Sequence, residues 1–241
     1  MFSALFIALT STLSSGATLQ GNPNIDYAEY EAAGVETIRV TNTSGKITVS
    51  PMPLNKITVT MFKRRFTEHC ATLIQKPDAT LILAEFKPPA NERCEVDIEL
   101  QVPKDIRLDL TEGSGNVSIR GFDGKLDFKV GSGSLVAEGH VKNVDGTVGS
   151  GDVTIKGMAG GGKLLTGSGK VNLRFLEDLR GQLDLKSGSG DTTLAFPKGT
   201  ALHTSLASGS GAVENELGDN PDADFGLNAK TGSGDLRVQS Y

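Results

Sequence analysis

The triplet Gly-Ser-Gly occurs seven times in this 241-residue chain, beginning at Gly113, Gly131, Gly149, Gly167, Gly188, Gly209 and Gly232. Successive starts lie 18, 18, 18, 21, 21 and 23 residues apart. A near-fixed period of this length marks a stacked-repeat architecture, in which one unit buries its apolar residues mainly against its neighbours. Short alternating segments follow the triplets, as in Val117-Ser118-Ile119 and Val153-Thr154-Ile155.

Registering the chain on the first glycine of each triplet shows which residues share a column. The fourth residue after it is Val117, Leu135, Val153, Val171, Thr192, Val213 or Leu236. The sixth is Ile119, Ala137, Ile155, Leu173, Leu194, Asn215 or Val238. Three residues before it stand Leu110, Phe128, Gly146, Leu164, Leu185, Leu206 and Ala229. Side chains alternate across a strand, so residues at i and i+2 share a face. Each period therefore supplies two short strands with inward alternate residues, one on either side of a glycine corner. The predicted fold is all-β, a parallel β-helix or β-solenoid with two-strand coils of 18–23 residues. A left-handed hexapeptide helix would place one aliphatic residue every six around three faces. The paired i, i+2 pattern suits two sheets and a right-handed winding.

Composition divides the chain. Of its 30 glycines, 26 lie after residue 110, whereas six of its nine prolines lie between Pro51 and Pro103. Residues 35–110 read as a β-rich N-terminal part continuous with the solenoid, and residues 111–241 as the Gly-Ser-Gly repeat. In the front part Ile38 and Val40 lead into a Thr43-Ser44-Gly45 turn, with Ile47 and Val49 beyond it. Ile57, Val59 and Met61 form another alternating set, Leu81 to Phe86 a further strand, and Glu95 to Val102 alternates acids with aliphatics. Residues 18–34 read as a linker.

Met1 to Ala17 carries an apolar run followed by small residues, and Ser15-Gly16-Ala17 offers the small pair that a signal peptidase accepts. Residues 1–17 thus read as a signal peptide without Lys or Arg in its first region. The run is too short for a transmembrane helix, and no integral membrane segment is expected after cleavage. Export to the periplasm, cell surface or medium follows. The net charge of −5 excludes general attraction to nucleic acid, whose binders carry basic patches.

Cys70 and Cys94 are the only cysteines. In an exported chain an even pair points to one disulfide, with two buried free thiols as the alternative. Neither cysteine belongs to a C-x-x-C motif. His69, His140 and His203 are too scattered to assemble a four-ligand metal site with them. Phe62-Lys63-Arg64-Arg65-Phe66 is the one dense basic cluster. It offers Lys63, Arg64 and Arg65 to an anionic glycan or lipid headgroup, or else forms a solvated turn.

The run Gly149-Ser150-Gly151-Asp152-Val153-Thr154-Ile155-Lys156-Gly157 resembles the repeat unit of the bacterial putative-adhesin family, a domain of unknown function. Ser44-Gly45-Lys46-Ile47-Thr48-Val49 and the Val102-Pro103 strand end fit the same pattern, so the similarity spans about residues 35–241. It implies an exported β-solenoid at the cell envelope. This chain departs from a continuous aspartate ladder. Asp follows the triplet at Asp152, Asp191 and Asp235, while Asn116, Ser134, Lys170 and Ala212 take the place elsewhere.

Calcium-binding nonapeptides need Gly and Asp recurring every nine residues, and segments such as Gly124-Lys125-Leu126-Asp127-Phe128 lack that pattern. Carbohydrate-active β-helices build clefts from long loops, which coils of this length cannot spare. Glu95, Asp97 and Glu99 form an acidic stripe on one strand rather than a catalytic pair. The expectation is a non-enzymatic chain with no catalytic residue, metal or cofactor. Its expected role is an adhesin-like interaction module for an envelope protein or a glycan. A structural or envelope-stress-sensing domain that binds a sibling protein is the alternative.

Overall fold

Thr43-Ser44-Gly45 is not an isolated turn but the first of eight stacked corners. The computed structural model describes residues 24–67, 70–86, 94–177 and 179–241, so the signal-peptide reading of residues 1–17 lies outside them. Seventeen strands appear among the described residues, and no helix. They are β1 (Ile25–Glu31), β2 (Thr37–Pro51), β3 (Lys56–Arg65), β4 (Ala71–Gln75), β5 (Thr80–Phe86), β6 (Glu95–Val102), β7 (Arg107–Ser132), β8 (Leu135–Ser150) and β9 (Val153–Met158). The remainder are β10 (Gly162–Ser168), β11 (Val171–Phe175), β12 (Gly181–Ser189), β13 (Thr192–Phe196), β14 (His203–Ser210), β15 (Val213–Asn215), β16 (Phe225–Ser233) and β17 (Leu236–Ser240).

Two parallel ladders rise together, one on each side of the glycine corners. In the first, β5 pairs with the start of β2, which pairs with the start of β7. Beyond it, the later part of β7 pairs with β8, and the ladder continues through β10, β12, β16 and β14. In the second, β6 pairs with the end of β2, and the order then runs through β7, β8, β9, β11, β13, β17 and β15. The columns read from the sequence coincide with the observed register: Leu164 lies beside Leu185, Leu185 beside Ala229, and Val153 beside Val171. These inward side chains are fully buried between the ladders.

The corners explain the glycines. A Cβ on Gly131 would lie 2.4 Å from the carbonyl oxygen of Gly113, and one on Gly149 2.6 Å from that of Gly131. The third triplet residue is tighter still. Gly133 has φ +127°, and a Cβ there would sit 1.9 Å from the oxygen of Gly115. Only glycine allows both the backbone conformation and this approach. Amide bonds then run from coil to coil along the ridge, as from Gly133 N to Ser150 O (2.9 Å) and from Gly151 N to Ser168 O (2.9 Å).

Three features depart from the sequence reading. Part of the segment read as linker, residues 25–31, is β1, which pairs antiparallel with β3 along its whole length. Its side chains are half-buried without a strong period, which concealed the strand. Secondly, β2 and β7 pair directly although residues 52–105 separate them in sequence, Ser44 beside Ser114 and Gly45 beside Gly115, while β5 and β6 from that interval pair with the other side of β2. Thirdly, the last two coils are exchanged in space. The chain-terminal coil, β16 and β17, lies between the β12–β13 coil and the β14–β15 coil. Sequential stacking predicts the opposite order.

Candidate functional site

Residues that follow a triplet sit on the rim of the corner, and four of them accept a hydrogen bond from the backbone of the neighbouring coil. Asp152 Oδ1 accepts from the Lys170 amide of the next coil at 2.8 Å. Asn116 does the same for Ser134 (3.0 Å), Asp191 for Asp235 (3.1 Å) and Asp235 for Ala212 (2.9 Å). At the front of the stack β6 supplies the equivalent group, with Asp97 Oδ1 accepting from the Lys46 amide at 3.0 Å. An acceptor of either charge type serves, which is why Asn replaces Asp at position 116. Among the described residues no group of three or more His, Cys, Asp or Glu side chains is placed to hold a metal ion.

Below the first corner lies a buried polar pair. Asn42 and Glu112 are neighbours across β2 and β7, each about 1% exposed. Asn42 Nδ2 donates to Glu112 Oε2 at 2.8 Å and to the Val96 carbonyl at 3.0 Å, while Glu112 Oε1 accepts from the Ser114 amide. Later coils place Val130 and Val148 in this column, then Thr166, Ser187 and Thr231. A buried polar group persists where it is hydrogen-bonded, and the pair ties β6 to the first two coils.

The basic cluster lies at the end of β3 rather than in a turn. Each cation has a carboxylate partner: Lys63 with Asp26 (2.8 Å), Arg64 with Asp97 (2.8 Å) and Arg65 with Glu95 (3.6 Å). Lys63 also stands over the Phe66 ring and Arg64 over Phe62. Arg64 and Arg65 nevertheless remain more than half exposed. Cys70 and Cys94 form a disulfide with Cα atoms 5.8 Å apart, joining the start of the β4–β5 hairpin to β6. His69 lies outside the described residues. His140 Nδ1 lies 3.0 Å from Asp123 Oδ1, and His203 Nδ1 3.4 Å from Asp219 Oδ1. A hydrogen bond from Lys142, with help from His140, holds the Asp123 carboxyl below its ordinary range.

The outward faces offer the concave surface. On the second ladder a groove of about 190 Å³ crosses three coils, between the rim column and the outward strand column. Lys170, Asn172, Asp191, Thr193, Asp235 and Arg237 line it. Arg237 donates to Glu214 at 2.7 Å, and this bond raises its pKa further. This mixture of carboxylate, amide, hydroxyl and ammonium groups presents donors and acceptors at strand spacing. The periodicity placed these residues outward, but no motif in the sequence marked them as a groove.

Stacked coils, two parallel ladders and glycine corners define a β-solenoid. The chain belongs to the family described as Toastrack DUF4097, whose profile matches residues 17–241. A search of the curated proteins finds no match. Among solved structures the chain is similar to a putative cell adhesion protein from Clostridium sporogenes ATCC 15579. That match has 12% identity and a TM-score of 0.47, covering 91% of this chain and 100% of that one. A putative adhesin from Bacteroides fragilis NCTC 9343 aligns with 13% identity and a TM-score of 0.43, covering 90% of this chain and 98% of that one. A putative lipid binding protein from Parabacteroides distasonis ATCC 8503 aligns with 12% identity and a TM-score of 0.34, covering 92% and 98%.

Proposed function

We propose that the chain is a non-enzymatic, exported β-solenoid that acts as an adhesin-like interaction module at the cell envelope or surface. The observation that carries this reading is the pair of outward ladder faces. They hold polar columns in register over successive coils and form the groove around Asn172 and Thr193. A rigid, repetitive polar face engages an extended polar partner through many weak contacts, and a glycan is the partner of that chemistry. The Cys70–Cys94 disulfide supports export, because such bonds persist in oxidising compartments. Among the described residues no helix is long and apolar enough to cross a membrane.

Two measurements test the proposal. Intact mass of the protein from envelope fractions is expected to begin at Thr18, and recovery of the full-length chain from the cytosol would overturn export. Retention on insoluble peptidoglycan or host glycan is expected to fall when Asn172 and Thr193 are both changed to Ala. Equal retention of the folded double variant would remove the groove from the reading.

A further inference from the structure

The two ends of the stack are finished differently. At the front, antiparallel strands close both ladders. β3 and β1 extend the second ladder beyond β6, and β4 extends the first beyond β5. The edge strand β1 carries Asp26, Glu29 and Glu31, while β4 has only five residues. Charges and short length are the usual protections of a sheet edge. At the far end, among the described residues, β14 pairs only with β16, and β15 only with β17. β14 is eight residues long, His203 to Ser210, with no Lys, Arg, Asp, Glu or Pro. The loop after β15 covers its beginning: Asp219 Oδ1 accepts from the Thr204 amide at 2.6 Å, and the Asn220 amide donates to the Leu202 carbonyl. From Ser205 onward no strand among the described residues lies on the outer side of β14.

The core is less fully covered at the same place, where Leu206 and Leu217 pack against it only partly buried. One coil inward, Leu227, Ala229, Leu236 and Val238 are each 0–1% exposed. Their partners in the outermost coil, Thr204, Leu206, Val213 and Asn215, are half-buried or exposed, Val213 by 43%. Another strand laid along β14 would cover Leu206 as β14 itself covers Ala229.

Charge identifies what such a strand carries. Residues 199–229 hold Glu214, Glu216, Asp219, Asp222 and Asp224 and no Lys or Arg. Of these acids Glu214 is paired with Arg237 of the neighbouring strand, which leaves Glu216, Asp219, Asp222 and Asp224 as the acidic loop beside β14. Two copies meeting here would oppose like charges, whereas a cationic segment would be drawn in. We infer that the β14 end of the solenoid is a docking edge for a basic, extended polypeptide segment that adds a strand beside residues 205–210. Main-chain bonds would supply affinity, an apolar side chain would cover Leu206, and flanking Lys or Arg would meet the acidic loop. This site stands apart from the outward groove and does not depend on the glycan reading.

The test uses the folded chain and a fluorescein-labelled peptide that alternates lysine and valine. Binding is expected to weaken by about tenfold when alternate peptide amides are N-methylated, because strand addition loses those donors while charge is kept. A glutamate–valine peptide is expected not to bind. The double variant Asp222→Asn and Asp224→Asn, whose acids lie in the exposed loop, should weaken the lysine peptide and leave glycan retention unchanged. Hydrogen exchange should show new protection confined to residues 203–215. Equal binding of the N-methylated peptide, protection spread over the outward faces, or a concentration-dependent dimer that excludes the peptide would each overturn the inference.

Discussion

The insert at residues 52–105 and the coils at residues 107–240 enclose the same core by different means. The coils repeat one solution, with alternate apolar residues inward and glycine wherever one corner meets the next. The insert uses antiparallel pairing, a disulfide and specific polar contacts, such as Asn42 with Val96 and Lys46 with Asp97. Its strand β6 nevertheless imitates a coil. Val96 O takes the place of a preceding corner carbonyl, 2.1 Å from where a Gly45 Cβ would stand, and Asp97 takes the place of a post-triplet acceptor. A cap therefore needs to reproduce only the hydrogen-bond positions of the missing coil, and it can do so with another backbone topology.

This comparison can be broken most severely by deletions. Removing residues 149–166 takes out one whole period and rejoins Val148 to Gly167 in register, so a folded, shorter molecule is expected by circular dichroism and thermal melting. Removing residues 131–148 also preserves the period but moves Phe128 against Leu164 in place of Gly146. A Cβ on Gly146 would already meet the Phe128 ring at 2.2 Å, so this variant should melt lower. Removing nine residues, 149–157, sets a corner over a strand and should abolish folding. If all three behave alike, the coil register does not govern stability.

Leu185→Asp asks whether one column tolerates a charge. Leu185 is 1% exposed between Leu164 and Ala229, and an unpaired carboxylate there should cost about 3–5 kcal/mol in chemical denaturation. Glycine corners are sharpened by contrasting two alanine substitutions. Gly133→Ala must displace the Gly115 carbonyl and is expected to cost about 3 kcal/mol or more. At Gly218 φ is also positive, but nothing lies within 4 Å of the added Cβ, so Gly218→Ala should cost about 1 kcal/mol.

Reducing the disulfide tests the insert alone. Cys70 and Cys94 are 24 residues apart, and opening that loop should lower stability by about 3 kcal/mol on the chain-entropy account. Exchange protection should fall first in β4 and β5, with the distant coils unchanged, and uniform loss would show that insert and coils unfold as one unit. The smallest effect is a gain. Thr192 is fully buried between Val171 and Leu236 in an otherwise aliphatic column, and its Oγ1 has no hydrogen-bond partner. Thr192→Val should raise stability by about 1 kcal/mol, seen as a higher denaturation midpoint.

The chain alone determined its coils. Period, inward columns and the two-strand unit were legible because every rung meets the same neighbours, so each local rule is written seven times in Gly-Ser-Gly. Ser44-Gly45 lacks the first glycine yet fits the repeat pattern, and what the sequence did not show is that it pairs directly with Ser114 and Gly115 across an insert. The spatial exchange of the last two coils was likewise invisible. Parallel strands of one period fit either order, and the choice rests on the loop at residues 216–224, with Asp219 bound to Thr204 and Glu216 bound to the Ser240 amide. The candidate sites divide in the same way. The carboxylates beside Lys63, Arg64 and Arg65, which are Asp26, Asp97 and Glu95, are brought to them by pairing between β3 and its neighbours β1 and β6, which no local pattern in the sequence revealed. The groove at Asn172 and Thr193 and the bare edge of β14 are properties of adjacent or missing coils. Sequence fixes what one residue offers its own strand. Only the stack decides what faces it from the next.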